Sequence, residues 1–232
     1  MYEKYIKRAI DFFLALCAII VLSPFLVIFT VIGAFAMKGN PFFCQLRPGK
    51  KGKDGKEKIF MLIKFRTMTC ETDDNGQPLP DEQRLTGYGK FLRSTSIDEL
   101  PELINILKGD MSVVGPRPQL VTDMFFMTDE QRRRHNIRPG LTGLAQISGR
   151  NAVSWENKLQ LDLDYISDIT FSRDLKIVFK TFIKVLKRDG ITAEGMDTAE
   201  DLGDYLVNTN KIDKESYNRL NKQASDLLYN FR

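Results

Sequence analysis

Histidine is nearly missing from this sequence: His135 is the only one in 232 residues. A Ser–His or Cys–His nucleophilic system would have to rest on it, with a positioned base and an orienting partner. Its neighbours are Arg132, Arg133 and Arg134, so it reads as a lone surface histidine in a charged turn. Cysteine is also sparse. Cys17, Cys44 and Cys70 are an odd number without CxxC spacing, which leaves neither a disulfide framework nor a zinc site to read. No internal repeat is visible. Any chemistry falls to carboxylates and basic residues.

The formal net charge is only +4, but its distribution is uneven. Residues 38–68 hold nine Lys or Arg against Asp54 and Glu57, whereas residues 189–232 hold nine Asp or Glu against five Lys or Arg. The basic stretch directly follows an apolar one. "LALCAIIVLSPFLVIFTVIGAF", residues 14–35, contains no charge and has Ser23-Pro24 at its middle. The run over residues 12–37 is too long for a secretory h-region of ~7–15 residues and lacks a small-residue cleavage site. As one straight helix it would measure about 39 Å, enough to cross a ~30 Å hydrocarbon core with tilt.

Pro24 has no N–H for the carbonyl of Ile20, so the helical ladder breaks or kinks there, with the Ser23 hydroxyl placed to compensate locally. Residues 12–23 and 25–37 each span only about 18–20 Å, which fits a re-entrant hairpin. Basic residues flank both ends: Lys4, Lys7 and Arg8 before, then Lys38, Arg47, Lys50, Lys51 and Lys53 after. A hairpin keeps both groups on the cytoplasmic side, as the positive-inside bias favours. A Pro-kinked spanning helix is the competing reading.

The remainder reads as a mixed, helix-rich α/β unit against the membrane. "KIFMLIKFRTM" alternates as a strand, with Ile59, Met61, Ile63 and Phe65 on one face and Lys64 and Arg66 on the other. A polar loop with Asn-Gly and prolines follows, expected to be mobile. "DELPELINILKGD" has helical spacing at Leu100, Leu103, Ile104 and Leu107 and is stopped by Gly109. "MSVVGPRP" reads as a short strand entering a rigid loop. "DLKIVFKTFIKVLKR" carries an apolar stripe at Leu175, Val178, Phe179, Phe182 and Leu186 beside a lysine stripe, suited either to the headgroup plane or to packing on the core. Short helices are expected around residues 199–206 and 214–228.

Asp98 and Glu99 are adjacent carboxylates at the start of the 98–110 segment. One reading is structural: Asp98 as N-cap, Pro101 in the first turn, and Ser96 with Glu99 as a capping box. The other is chemical, because Lys64, Arg93 and Arg117 can converge there, and a carboxylate among phosphate-binding cations suits Mg²⁺.

The ordered set of apolar segment with Ser23-Pro24, "QLRPGKKG", "IKFRTM", "GKFLRSTSIDELPELINILKGDMSVVGPRP" and "RPGLTGLAQISGRN" resembles the monotopic phosphoglycosyl transferases that initiate bacterial glycoconjugate assembly. It covers residues 2–195 and is closest to small single-domain members acting on diacetylated bacillosamine, with no multi-spanning region expected ahead of the core. The resemblance implies transfer of a sugar 1-phosphate from a UDP-sugar to polyprenyl (undecaprenyl) phosphate, releasing UMP. It implies Asp98 as nucleophile and Mg²⁺ ligand, with Glu99 assisting. It further implies Lys64, Arg93 and Arg117 as phosphate binders, Pro139 and Gly140 shaping the nucleotide end, and Ser23 and Pro24 as the re-entrant break. The expected division is an anchor over residues 1–38, a catalytic core over 39–195 and an acidic extension over 196–232. The expected location is the cytoplasmic face of the bacterial inner membrane, with membrane lipid and no nucleic acid as partner and dimerisation left open. A membrane-tethered module binding anionic lipid or nucleotide is the alternative, but it assigns no task to Asp98 and Glu99.

Overall fold

The computed structural model describes residues 1–149, 153–187 and 200–231. The boundary expected between residues 195 and 196, and the last two residues of the "RPGLTGLAQISGRN" motif, lie outside them. After a helical turn at Tyr2–Ile6, helix α1 spans Lys7–Ala36 and strands β1 (Phe42–Lys51) and β2 (Glu57–Phe65) form an antiparallel hairpin. Helices α2 (Asp81–Arg84), α3 (Gly87–Thr95) and α4 (Glu102–Lys108) follow, then β3 (Ser112–Val114), α5 (Val121–Phe126), β4 (Gly140–Thr142), α6 (Leu144–Ser148), α7 (Trp155–Ser167) and α8 (Phe171–Lys187). Helices α9 (Leu202–Asn208) and α10 (Lys214–Tyr229) close the chain. The architecture is mixed and helix-rich, as expected.

Helix α1 is long and apolar enough to cross a membrane. It is assigned as continuous helix through Pro24, without the expected division into two helices. The local repair is present: Ser23 Oγ donates to Ile20 O at 2.8 Å, serving the carbonyl that Pro24 leaves without an N–H. Lys7 and Arg8, read above as flanking charges, are tied to the core. Lys7 Nζ meets Asp174 Oδ2 at 2.6 Å, and Arg8 donates to the carbonyls of Ile106 and Leu107 at the end of α4. Asp11 accepts from Ser112 Oγ and Val113 N. Ala15 is fully buried with Phe60, Leu62, Leu103, Ile106 and Met111. Beyond Pro24, Tyr88 Oη donates to Phe29 O at 2.7 Å, and a Cβ on Gly33 would lie only 2.9 Å from that hydroxyl. Both arms of α1 therefore dock on the same folded core.

The alternation read for β2 holds, with its faces reversed, around residues 60–62 but not to the end of the strand, since Phe65, placed with Met61 by the pattern, is 2% exposed. Phe60 and Leu62 enter the core, while Met61 is 46% exposed. The reason is that both faces of this strand carry apolar side chains, so period-two patterning alone does not choose between them. Packing of Leu103 and Ile106 against Phe60 and Leu62 does, and it turns Lys64 inward with them. Asn105, with no exposure at all, joins α4 to β2 by accepting from Ile63 N and donating to Met61 O. In the polar loop Asp73 Oδ1 accepts from Asn75 N and Gln77 N, and α2 follows.

On α8, Asp174 and Ile177 face the core. Leu175, Val178, Phe179, Phe182 and Leu186 are exposed, so the apolar stripe is not spent on core packing. The expected C-terminal helices are α9 and α10, and they pack Leu202 and neighbouring apolar residues against Phe126, Met127, Trp155 and Leu159. His135 is buried at 4% exposure, not on the surface; its Nδ1 lies 3.3 Å from Glu57 Oε1.

Candidate active site

The capping interpretation of Asp98 and Glu99 fails on backbone geometry. Helix α3 ends at Ser96 in a left-handed conformation, φ 57°, and residues Ile97–Glu99 form a separate 3-10 turn before α4. Pro101 stands just before α4, where its missing N–H costs nothing. The Glu99 carboxylate, instead of reaching back to Ser96, accepts from Arg117 Nη2 at 2.7 Å and Lys64 Nζ at 3.2 Å. Lys64 also reaches Glu102 Oε1 at 3.0 Å. Arg93 Nε donates to Thr67 Oγ1 at 3.1 Å. Among the described residues, no hydrogen bond or ion pair holds Asp98.

A single cavity of about 1700 Å³ is lined by Lys64, Arg93, Asp98, Glu99 and Arg117 together. Pro139 and Gly140 are not among its lining residues. They sit behind it, where Ser112 N donates to Pro139 O and Gly140 N to Pro116 O, fastening the loop that presents Arg117. Here glycine is a steric requirement: a Cβ on Gly140 would come within 2.0 Å of Gly115 N. Ser23 and Pro24 lie in α1 and outside this cavity.

The charges are strongly perturbed. Burial raises the Asp98 carboxyl to about 6, and the adjacent Glu99 carboxylate pushes the same way, while Lys64, Arg117 and Arg93 pull it down. Burial also works against ionised Glu99, but Arg117 and Lys64 hold it well below the usual carboxylate range. Glu102, raised by burial to about 7 with Lys64 opposing, was missed from sequence because it reads as an ordinary helix residue. Two neighbouring carboxylates are thus set apart: Glu99 is neutralised by cations, and Asp98 lines the cavity with no hydrogen-bond or ion-pair partner among the described residues.

Further residues support or line the cavity without having been singled out in the sequence. Buried Arg134 donates to Asp162 Oδ2 and, at 2.5 Å, to Arg117 O, bracing the cation from behind. Six buried side-chain polar atoms among the described residues have no hydrogen-bond partner, and five belong to the cavity lining: Arg47 Nε, Thr69 Oγ1, Arg84 Nε and both amide atoms of Gln146. Buried polar groups are normally satisfied, and these unpaired atoms gather on residues of one cavity. No group of three or more His, Cys, Asp or Glu among the described residues could cage a metal. Mg²⁺ needs no such cage, since it commonly takes one or two carboxylates, substrate phosphates and water; a partnerless Asp98 fits that manner of binding.

Residues 2–188 match the family described as bacterial sugar transferase. The chain is 47% identical over 196 residues to the uncharacterized sugar transferase EpsL of Bacillus subtilis, covering 84% of this chain and 94% of that protein. It is 40% identical over 193 residues, 77% of this chain, to the UDP-glucose:undecaprenyl-phosphate glucose-1-phosphate transferase of Klebsiella pneumoniae. It is 33% identical over 205 residues, 81% of this chain, to the undecaprenyl-phosphate galactose phosphotransferase of Salmonella typhimurium. The match takes in 39% and 42% of those two longer proteins, respectively. With most of its length inside the family match and nearly all of the Bacillus relative covered, this chain belongs to the bacterial sugar transferase family.

Proposed function

We propose that the protein transfers a sugar 1-phosphate from a UDP-sugar to undecaprenyl phosphate, giving undecaprenyl diphosphate sugar and UMP. The observation that carries this reading is the partnerless Asp98 carboxylate in a cavity also lined by Lys64, Arg93 and Arg117. The names of the Klebsiella and Salmonella relatives supply the donor and acceptor classes. In the first half-reaction an Asp98 oxygen attacks the sugar-linked phosphorus, the bond to the UMP oxygen breaks, and UMP leaves with the bonding electrons. In the second, an oxygen of the acceptor phosphate attacks the same phosphorus and Asp98 is released as carboxylate. Arg117, Lys64 and Arg93 bind phosphate oxygens and offset charge developing in transfer. Glu99 keeps Lys64 and Arg117 in position and does not compete as nucleophile, because both cations occupy it. Mg²⁺, held by Asp98 and the diphosphate, would supply further neutralisation of phosphate charge.

The same reading makes the anchor re-entrant and the protein monotopic on the cytoplasmic face. Its support is that residues before Pro24 (Arg8, Asp11, Ala15) and after it (Phe29, Gly33) meet one core, and that the exposed apolar stripe of α8 suits the lipid interface. Incubation with UDP-sugars, undecaprenyl phosphate and Mg²⁺, read out by UMP, tests the activity. Asp98→Asn is expected to abolish turnover and also UMP exchange without acceptor; retained exchange would exclude Asp98 as nucleophile.

A further inference from the structure

The family match ends at residue 188, yet the described segment beyond it, residues 200–231, is fastened to the cavity. Trp155 Nε1 donates to Glu200 O at 3.0 Å, and Leu202 N donates to buried Asp123 Oδ1 at 2.9 Å. Leu202 is 3% exposed among Phe126, Met127 and Leu159. Gly203 permits close approach, since a Cβ there would lie 2.8 Å from the Phe126 ring. These anchors hold Glu200 and Asp201 in the lining of the same cavity as Asp98. Asp201 stands at the N-cap position of α9 but accepts no capping hydrogen bond, so its carboxylate is not spent there.

Arg47 lines the cavity too. Its Nη groups donate to Gln45 Oε1 and Pro118 O, and its buried Nε has no partner. Asp201 and Asp123 are among the carboxylates acting on its charge, yet no ion pair joins it to either. An uncapped carboxylate beside a guanidinium whose Nη groups keep further N–H donors fits an uncharged ligand that offers hydroxyl or amide donors and oxygen acceptors. Glu200, Asp201 and Asp123 add carboxylates to this wall, whereas Lys64, Arg93 and Arg117 act on Asp98. Relatives inside the family match are named for different sugars, glucose and galactose, but for related transfers.

Resting on the transferase reading above, we propose that Asp201, opposed by Arg47, recognises hydroxyl or acylamino substituents of the donor sugar. The C-terminal segment is then a specificity-determining wall. The test compares the full-length protein with Asp201→Asn on UDP-glucose, UDP-galactose and their 2-acetamido counterparts, measuring kcat/KM by UMP release and inhibition by UMP. The expected result is a change of tenfold or more in the ratio of kcat/KM between donors, with UMP inhibition unchanged. Trp155→Phe, which removes the anchor on Glu200 O and keeps an aromatic ring, is expected to shift that ratio in the same direction in protein that remains folded below its own, lowered melting temperature. An active wild type whose donor ratios survive Asp201→Asn would overturn the proposal. So would a uniform loss across all donors and UMP, which would assign this wall to the nucleotide. A wild type that releases UMP from no donor would bring down the transferase reading itself.

Discussion

Arg134 and Asp162, the latter in the cavity lining, have 1% and 4% side-chain exposure and are joined at 2.7 Å. Burial raises the Asp162 carboxyl even against the pull of Arg134, so desolvation of this pair is not fully offset by its attraction. Asp162→Asn would strand a buried guanidinium, which costs about 3–5 kcal/mol. For a chain of this size each kcal/mol lowers Tm by about 2–4 °C, so a fall of roughly 6–20 °C is expected by differential scanning fluorimetry in detergent. Replacing both partners by apolar residues, Asp162→Leu with Arg134→Met, removes the stranded charge and is expected to recover most of that stability. Activity should behave differently. Arg134 Nη2 also holds the carbonyl of Arg117, and Met cannot donate to it, so the double variant should regain Tm yet keep a donor KM raised about tenfold. An Asp162→Asn protein melting within 2 °C of wild type would refute the energetic argument, and a double variant recovering both Tm and KM would refute the brace.

His135 is buried and held neutral: burial lowers it to about 4, with Glu57 opposing. An unfolded histidine binds its proton near pH 6.5, so the unfolded chain takes up protons first as pH falls. Stability should be complete above about pH 6.5 and decline toward pH 4, by at most about 3 kcal/mol from this group. Because Asp98 and Glu102, raised by burial, act with the opposite sign over the same range, the measurement is the Tm difference between wild type and His135→Gln. That difference should shift against the wild type from pH 6.5 toward 4; a difference independent of pH would remove His135 from the account. Lys64→Met leaves buried Glu102 without its cation and Glu99 with Arg117 alone, and UMP release should fall by roughly 10²-fold. A fall of less than threefold would remove Lys64 from the site. Cysteines placed at Tyr5 and Gly52 should label from the same side of sealed vesicles, and opposite-side labelling would replace the re-entrant anchor by a spanning one.

Composition and order of the chain determined much before any coordinates. The apolar run and its Ser23-Pro24 pair required an anchor with a local repair at Ile20, because a proline in lipid leaves a carbonyl that something must serve. The helical spacing after Asp98 and the stripe on α8 were legible for the same reason: periodicity reports which side chains share a face. Local rules could not choose among faces and partners. Only packing on Leu103 and Ile106 decided that Phe60, Leu62 and Lys64 point inward, since β2 is apolar on both sides. Only the left-handed turn at Ser96, together with Arg117 arriving from a loop pinned by Gly115 and Gly140, separated a neutralised Glu99 from a partnerless Asp98. The roles of Glu102, Arg134 and Arg47 in the cavity stayed hidden, although Glu102 and Arg47 lie inside quoted motifs, because each looks ordinary among its sequence neighbours. Their significance comes from contacts tens of residues away, which no local pattern encodes.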